Sequence, residues 1–187
     1  MIAEKKLLCA FIYSAYASGY CGLRLAQEEK ERHMQLYLDY LKKEQYYPAK
    51  EIEETQQEMM DSIKRTSIRD YIYNGHFDVV RNRIATETKQ TFEDAVKSPI
   101  ICMTALRCAA NFYLVIQANN STIIAQNLFL PEKKELTRLE GLELPSVGEI
   151  VTGHWNYLLE RTNDGELAKK YQKYSEDHIF KAMRRLK

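Results

Sequence analysis

The sequence is poor in the residues that make turns. Its 187 residues include seven glycines and four prolines, which excludes collagen-like and low-complexity chains and suits helices better than turn-rich sheets. Cys9, Cys21, Cys102 and Cys108 form no C-x-x-C pair, which removes the usual zinc and dithiol signatures. No apolar run reaches the length of a membrane span, and Arg107 interrupts the best candidate. Neither charge is in excess: 27 basic and 26 acidic residues leave a formal net charge of +1, so the overall balance calls for neither a nucleic-acid nor a membrane partner. Gly-rich phosphate loops and a G-x-S-x-G nucleophile turn are missing. Three residues before His33, His76, His154 and His178 stand Lys30, Tyr73, Val151 and Ser175, so the Glu-x-x-His pairs of carboxylate-bridged metal sites are absent. No metal and no cofactor are expected.

What is present reads as a globular chain. A hydrophobic content of 45% and a charged content of 28% are ordinary, and the length suits one domain spanning residues 1–187. Three of the four cysteines sit among apolar neighbours, as reduced buried thiols do, so a cytoplasmic location is expected. The N-terminal stretch MIAEKKLLCAFIYSAYA mimics a secretion signal, but Glu4 lies in the would-be positive region and Tyr13 and Ser14 interrupt a minimal apolar run.

Periodicity predicts helices throughout. Leu8, Phe11, Ile12 and Ala15 share one face of a helix over about 3–17. Met34, Tyr37 and Leu41 mark a second, over about 23–43, which Tyr46-Tyr47-Pro48 ends. A third begins at Pro48 and breaks near Thr66, where Ser67 and Asp70 form a cap. Asn74-Gly75 reads as a helix stop, and Phe77, Val80, Ile84, Phe92 and Ala95 mark the next helix. Ser98-Pro99 opens SPIICMTALRCAANFYLVIQ, apolar on nearly every side, which predicts a buried central helix over 99–117. Residues 121–130 are short and apolar, a pattern shared by strand and helix; their surroundings favour helix. A short charged helix is expected over 131–140, another from the S-x-x-E box at Ser146–Glu149, and a last one from Glu166 after the Asn163-Asp164-Gly165 turn. The expected architecture is an all-α, single-domain bundle of about eight helices around 99–117.

The best catalytic candidates are Arg69 and His76, in RDYIYNGH. This stretch resembles the R-x4-6-H motif of the HEPN family, small helical domains that include many toxin and defence ribonucleases. The resemblance implies a metal-independent ribonuclease in which His76 is general base on a ribose 2′-OH and Arg69 steadies the phosphate charge. Lys181, Arg184, Arg185 and Lys187 make the C-terminus basic, a candidate anion-binding group that also suits a helix C-terminus. Helices rich in Tyr and Met offer surfaces of the kind enriched at protein interfaces. The preferred function is therefore a non-catalytic helical protein-interaction module, adaptor or regulator. Its partner would be another protein or a second copy of the chain, with nucleic acid less favoured and no membrane; the HEPN-like ribonuclease is the alternative.

Overall fold

A computed structural model of the chain describes residues 2–19 and 25–175, the side chains of 172–175 excepted. The basic group Lys181, Arg184, Arg185 and Lys187, together with Cys21 and His178, lies outside the described residues.

The first helix, α1 (Ile2–Ser18), is buried on every side of its second half, through Leu7, Leu8, Cys9, Ala10, Phe11, Ile12, Ser14, Ala15 and Tyr16. Consecutive apolar positions leave no solvent face, so partners must cover the helix all round. Helix α2 (Gln27–Lys43) supplies one, presenting His33, Tyr37, Tyr40 and Leu41 as a single stripe. Pro48 precedes α3 (Ala49–Thr55), and non-helical angles at Gln56 (φ −130°, ψ 39°) separate it from α4 (Gln57–Arg65). The Ser67 hydroxyl accepts from the Asp70 amide and caps α5 (Ile68–Asp70), as the sequence led us to expect. Tyr71–Gly75 then forms a π-helical turn that runs unbroken into α6 (His76–Thr88). The expected stop at Asn74-Gly75 is therefore wrong: Gly75 has φ −61° and stays right-handed. Helix α7 (Phe92–Ala95) leads to α8 (Pro99–Cys108), which starts at Ser98-Pro99 as expected.

The all-α expectation fails at Cys108. The stretch read as one helix over 99–117 is a ten-residue helix followed by a strand, β1 (Asn111–Ala118). Asn111 marks the junction, its side-chain amide donating to the Leu106 and Ala109 carbonyls at 3.0 and 2.9 Å and so closing the helix end. The aromatic and β-branched run Phe112–Ile116 prefers a pleated surface, and the apparent all-round apolarity came from joining two elements of different period. Helix α8 is not central either: Ile100 is 80% exposed, and Arg107 reaches the protein edge.

The expected helix over 121–130 is β2 (Thr122–Asn127), and the expected charged helix over 131–140 is β3 (Lys133–Thr137). In place of a helix at the S-x-x-E box the chain makes a turn and then β4 (Ile150–His154). The box residues do bond, Ser146 N–H to Glu149 Oε2 at 2.8 Å, but Gly148 at φ +88° breaks the helical path. A tight hairpin through Trp155-Asn156 gives β5 (Tyr157–Arg161), and α9 (Gly165–Ser175) follows the expected turn.

The strands close into a barrel in the order β1-β2-β3-β5-β4, antiparallel except for the parallel β3–β5 contact. With β4 returning beside β1, this is a Greek key. Tyr113, Val115, Ile123, Ala125, Leu136, Val151 and Leu158 belong to the same buried cluster as the inward side chains of α1 and α2, so barrel and helices share one core. Phe77, Phe92, Val96, Cys102, Ala105, Leu106 and Ala109 form a smaller one beneath α6–α8.

Two joints hold the barrel loops in place, and each makes a prediction. Gly141, at φ +93°, lies so close to the end of α2 that an added Cβ would overlap the Leu41 carbonyl and the Lys42 amide. Its own carbonyl accepts from Lys6 Nζ at 3.2 Å. Gly141→Ala should cost at least about 1 kcal/mol in chemical denaturation, because both the φ and the space are lost.

Glu149 accepts from the Ser146 amide, from Asn163 Nδ2 at 2.9 Å and from Arg161 Nη2 at 2.6 Å. These bonds hold its carboxyl at a pKa of about 2, below the ordinary 4.5. A depressed carboxylate contributes stability that is complete above the unfolded-state pKa and fades as pH falls through the folded one. The wild type should therefore lose stability between about pH 4.5 and pH 2. Glu149→Gln should flatten the unfolding free energy across that window.

Candidate functional site

A cleft of about 700 Å³ opens on the helical side of the molecule. Helix α1 gives its floor, with Phe11, Ile12, Ala15 and Tyr16; α4 gives one wall, with Glu58, Met59, Ser62 and Arg65. The facing wall is α6, whose His76, Val79, Val80, Arg83, Ile84 and Glu87 all line the cleft. Those positions follow the three-and-four spacing of a single helical face. Thr104 and Cys108 of α8, one turn apart, also line it.

The π turn decides which side chains enter. The His76 amide donates to the Tyr71 carbonyl, an i to i+5 bond, and this wider turn sets residue 76 beneath residue 71. In a regular α-helix the two would be about 140° apart; here both line the cleft with ring centroids 6.1 Å apart. Gly75 lets the ring lie close, since an added Cβ would sit 3.1 Å from Tyr71 and push the ring aside by a few tenths of an ångström. Such turns are frequent at functional sites.

His76 is buried against Phe11, edge to face at 4.9 Å, and against His154 at 5.5 Å. His154 in turn contacts Ser14, Nδ1 to Oγ at 2.7 Å. Because the Ser14 hydroxyl donates its one proton to the Phe11 carbonyl at 2.7 Å, the imidazole must donate from Nδ1. The pair ties α1 to β4 with neither group exposed.

Arg69 faces the other way. Its guanidinium forks onto Glu160 of β5, Nε to Oε1 at 3.3 Å and Nη2 to Oε2 at 2.9 Å. Tyr73, one turn on, donates to Glu160 Oε1 at 2.6 Å and meets Thr152 at 3.0 Å. Burial and the neighbouring carboxylate push the Tyr73 hydroxyl pKa well above its ordinary value. Asp70 accepts from Tyr171 at 2.7 Å and Lys170 at 3.1 Å, bonds that hold its carboxyl below the usual range. The segment thus divides: Arg69 and Tyr73 clamp the barrel, while Tyr71 and His76 line the cleft, which does not include Arg69. The pair that the sequence singled out is given separate partners.

The polar groups at the α3 end of the cleft were missed. Tyr16, Thr55 and Gln56 converge there, none of them singled out in the sequence. Among the described residues no group of three or more His, Cys, Asp and Glu could hold a metal ion, and no helix is long and apolar enough to cross a membrane. Cys9, Cys102 and Cys108 are buried thiols, and burial pushes Cys9 up to about 12. No family model, curated protein or solved structure matches the chain.

The clamp can be tested directly. Arg69→Ala should cost about 1 kcal/mol in denaturant unfolding, because a partly exposed bidentate pair is worth less than a buried charged hydrogen bond. Glu160→Gln should lose less, since its carbonyl still accepts from Tyr73. If Arg69→Ala has no effect, the guanidinium does not hold the barrel.

Proposed function

We propose that this chain is a non-catalytic, cytoplasmic interaction module that takes an apolar segment of another protein into the cleft between α1, α4 and α6. The observation that carries this reading is the α6 stripe. Apolar side chains that would normally be sealed by a neighbouring helix instead face open space, Val79 being 50% exposed. Two helical walls over an apolar floor suit an amphipathic helix with anchors one turn apart. The Met and aromatic groups there, Met59, Phe11, Tyr16 and Tyr71, are types enriched where proteins meet. The buried thiols fit a reducing compartment.

The alternative readings gain less support. A ribonuclease of the kind that Arg69 and His76 suggested needs both on one phosphodiester, and Arg69 is engaged by Glu160. Five-stranded Greek-key barrels that bind nucleic acid use the β2–β3 face, with rings on which bases stack. Here the outward positions of those strands are Thr122, Ile124, Gln126, Lys133, Glu135 and Thr137, none aromatic.

A photo-crosslinking residue in place of Arg65, on the α4 wall, should capture the partner when the producing cell is irradiated. The same residue at Lys133 on the barrel should not. Val79→Arg should abolish capture while stability stays within about 0.5 kcal/mol, the range of surface changes. Capture of the chain itself would make the partner a second copy. Equal capture from Lys133, or indifference to Val79→Arg, would displace the cleft as the recognition site. Metal-independent cleavage of single-stranded RNA that falls about a hundred-fold or more in His76→Ala would instead establish the ribonuclease.

A further inference from the structure

We infer that the α3 end of the cleft is a selective subsite, in which the Tyr16 hydroxyl donates to an uncharged carbonyl, of the amide kind, on the segment that enters. The inference rests on the cleft being the recognition site. Gln56 Nε2 donates to the Tyr16 oxygen at 3.1 Å, and Thr55 spends its own proton on the Glu51 carbonyl at 2.7 Å. The Tyr16 proton is left to Thr55 Oγ1 at 3.5 Å, at the outer limit of a hydrogen bond. Beside them the Tyr37 hydroxyl, fully buried, has no hydrogen bond of normal geometry, although it lies against the Tyr16 and Thr55 hydroxyls. Burial keeps it protonated. A buried donor left in that state is rare and asks for an explanation.

An acceptor entering beside Tyr16 and Thr55 supplies one. Tyr16 turns its proton from the long bond to the incoming carbonyl, and its oxygen then accepts from Tyr37 as well as Gln56. Tyr16 is the contact, since it lines the cleft; Tyr37 is a positioning residue behind it. The charge around the subsite narrows the choice. Glu54 and Glu58 line the cleft on either side of Thr55–Gln57, so a carboxylate would meet two like charges. An ammonium offers no acceptor for the Tyr16 proton. A neutral carbonyl satisfies both conditions, and a peptide bond or an Asn or Gln side chain provides one on a protein partner.

Octanamide, octanoate and octylammonium share one apolar chain and differ in the head group, so they separate the subsite from the cleft. Each would be titrated into the full chain by calorimetry, with the Met59 methyl signal as the NMR report of occupancy. Octanamide should bind about ten-fold or more tighter than either ion, the value of one well-made hydrogen bond. Tyr16→Phe should erase that preference while the chain still binds. Tyr37→Phe should weaken it too, and should raise the thermal midpoint of the free protein, since the unmatched hydroxyl is gone. A purely structural Tyr37 would do the reverse, lowering the midpoint and leaving the preference alone. Binding of all three probes with equal affinity would overturn the subsite and leave the cleft standing. Binding of none, with no shift at Met59, would overturn both.

Discussion

The burial of α1 on every side is the constraint to which the other elements answer. A helix with Leu7 through Ile12 all inside cannot rest on a single surface, because any uncovered flank would leave apolar area in water at roughly 25 cal/mol per Å². Helix α2 covers one flank, β4 and β5 another, and the α5–π segment a third. The barrel is thus a wall of the helical core and not an appendage. The Ser14–His154 bond at 2.7 Å fixes that wall. This polar pair sets the register between helix and strand, since a shift by a residue would take the Ser14 oxygen away from the buried imidazole. A cleft nonetheless reaches Phe11, Ile12, Ala15 and Tyr16, which line it while staying at most 8% exposed.

The π turn is the second device, and it acts by allocation. A regular helix would set Arg69, Tyr73 and His76, at i, i+4 and i+7, on one face and leave Tyr71 across the axis. Widening the turn at Tyr71–Gly75 leaves Arg69 and Tyr73 on the barrel side and brings Tyr71 and His76 together on the cleft side. The barrel contact, with Glu160 receiving both a guanidinium fork and a phenol, then anchors the widened segment. Cleft geometry is in this way secured from the face opposite to it.

These arrangements were unevenly legible in the sequence. The boundaries of α1, the cap at Ser67, the start at Ser98-Pro99 and the turn before α9 rest on local chemistry, in which a capping oxygen, a fixed φ or a glycine acts on its own few neighbours. Those were readable. The barrel was not, because its strands are five to eight residues long and buried partly on both faces, so that runs such as Phe112–Ile116 show no clean alternation. The capping-box reading at Ser146–Glu149 found a real bond in the wrong element, since the same side-chain reach closes a turn as readily as a helix. The π turn left no periodic trace, being a single widened turn, and Asn74-Gly75 advertised a stop that the structure does not use. Pairing Arg69 with His76 relied on their separation along the chain; the widened turn sends them to opposite sides.

The charges around the cleft bear on what can occupy it. Glu54, Glu58 and Glu87 are set against Arg65 and Arg83, and Arg83 Nε bonds Glu87 of its own helix at 2.7 Å. A site for a phosphate polymer concentrates basic groups, because its affinity comes largely from releasing condensed counterions. A mixed rim gains little that way. It suits an occupant that carries both signs around an apolar stripe, and such mixed charge fixes orientation and register more than strength. The apolar floor then supplies the attraction, the rim the direction, and the hydroxyls at the α3 end the one contact that depends on chemical identity. This division of labour is what the proposed recognition role asks of the cleft. The buried imidazoles of His76 and His154, packed against each other and against the Phe11 ring, lie between α1 and the barrel and leave the rim charges to meet an occupant.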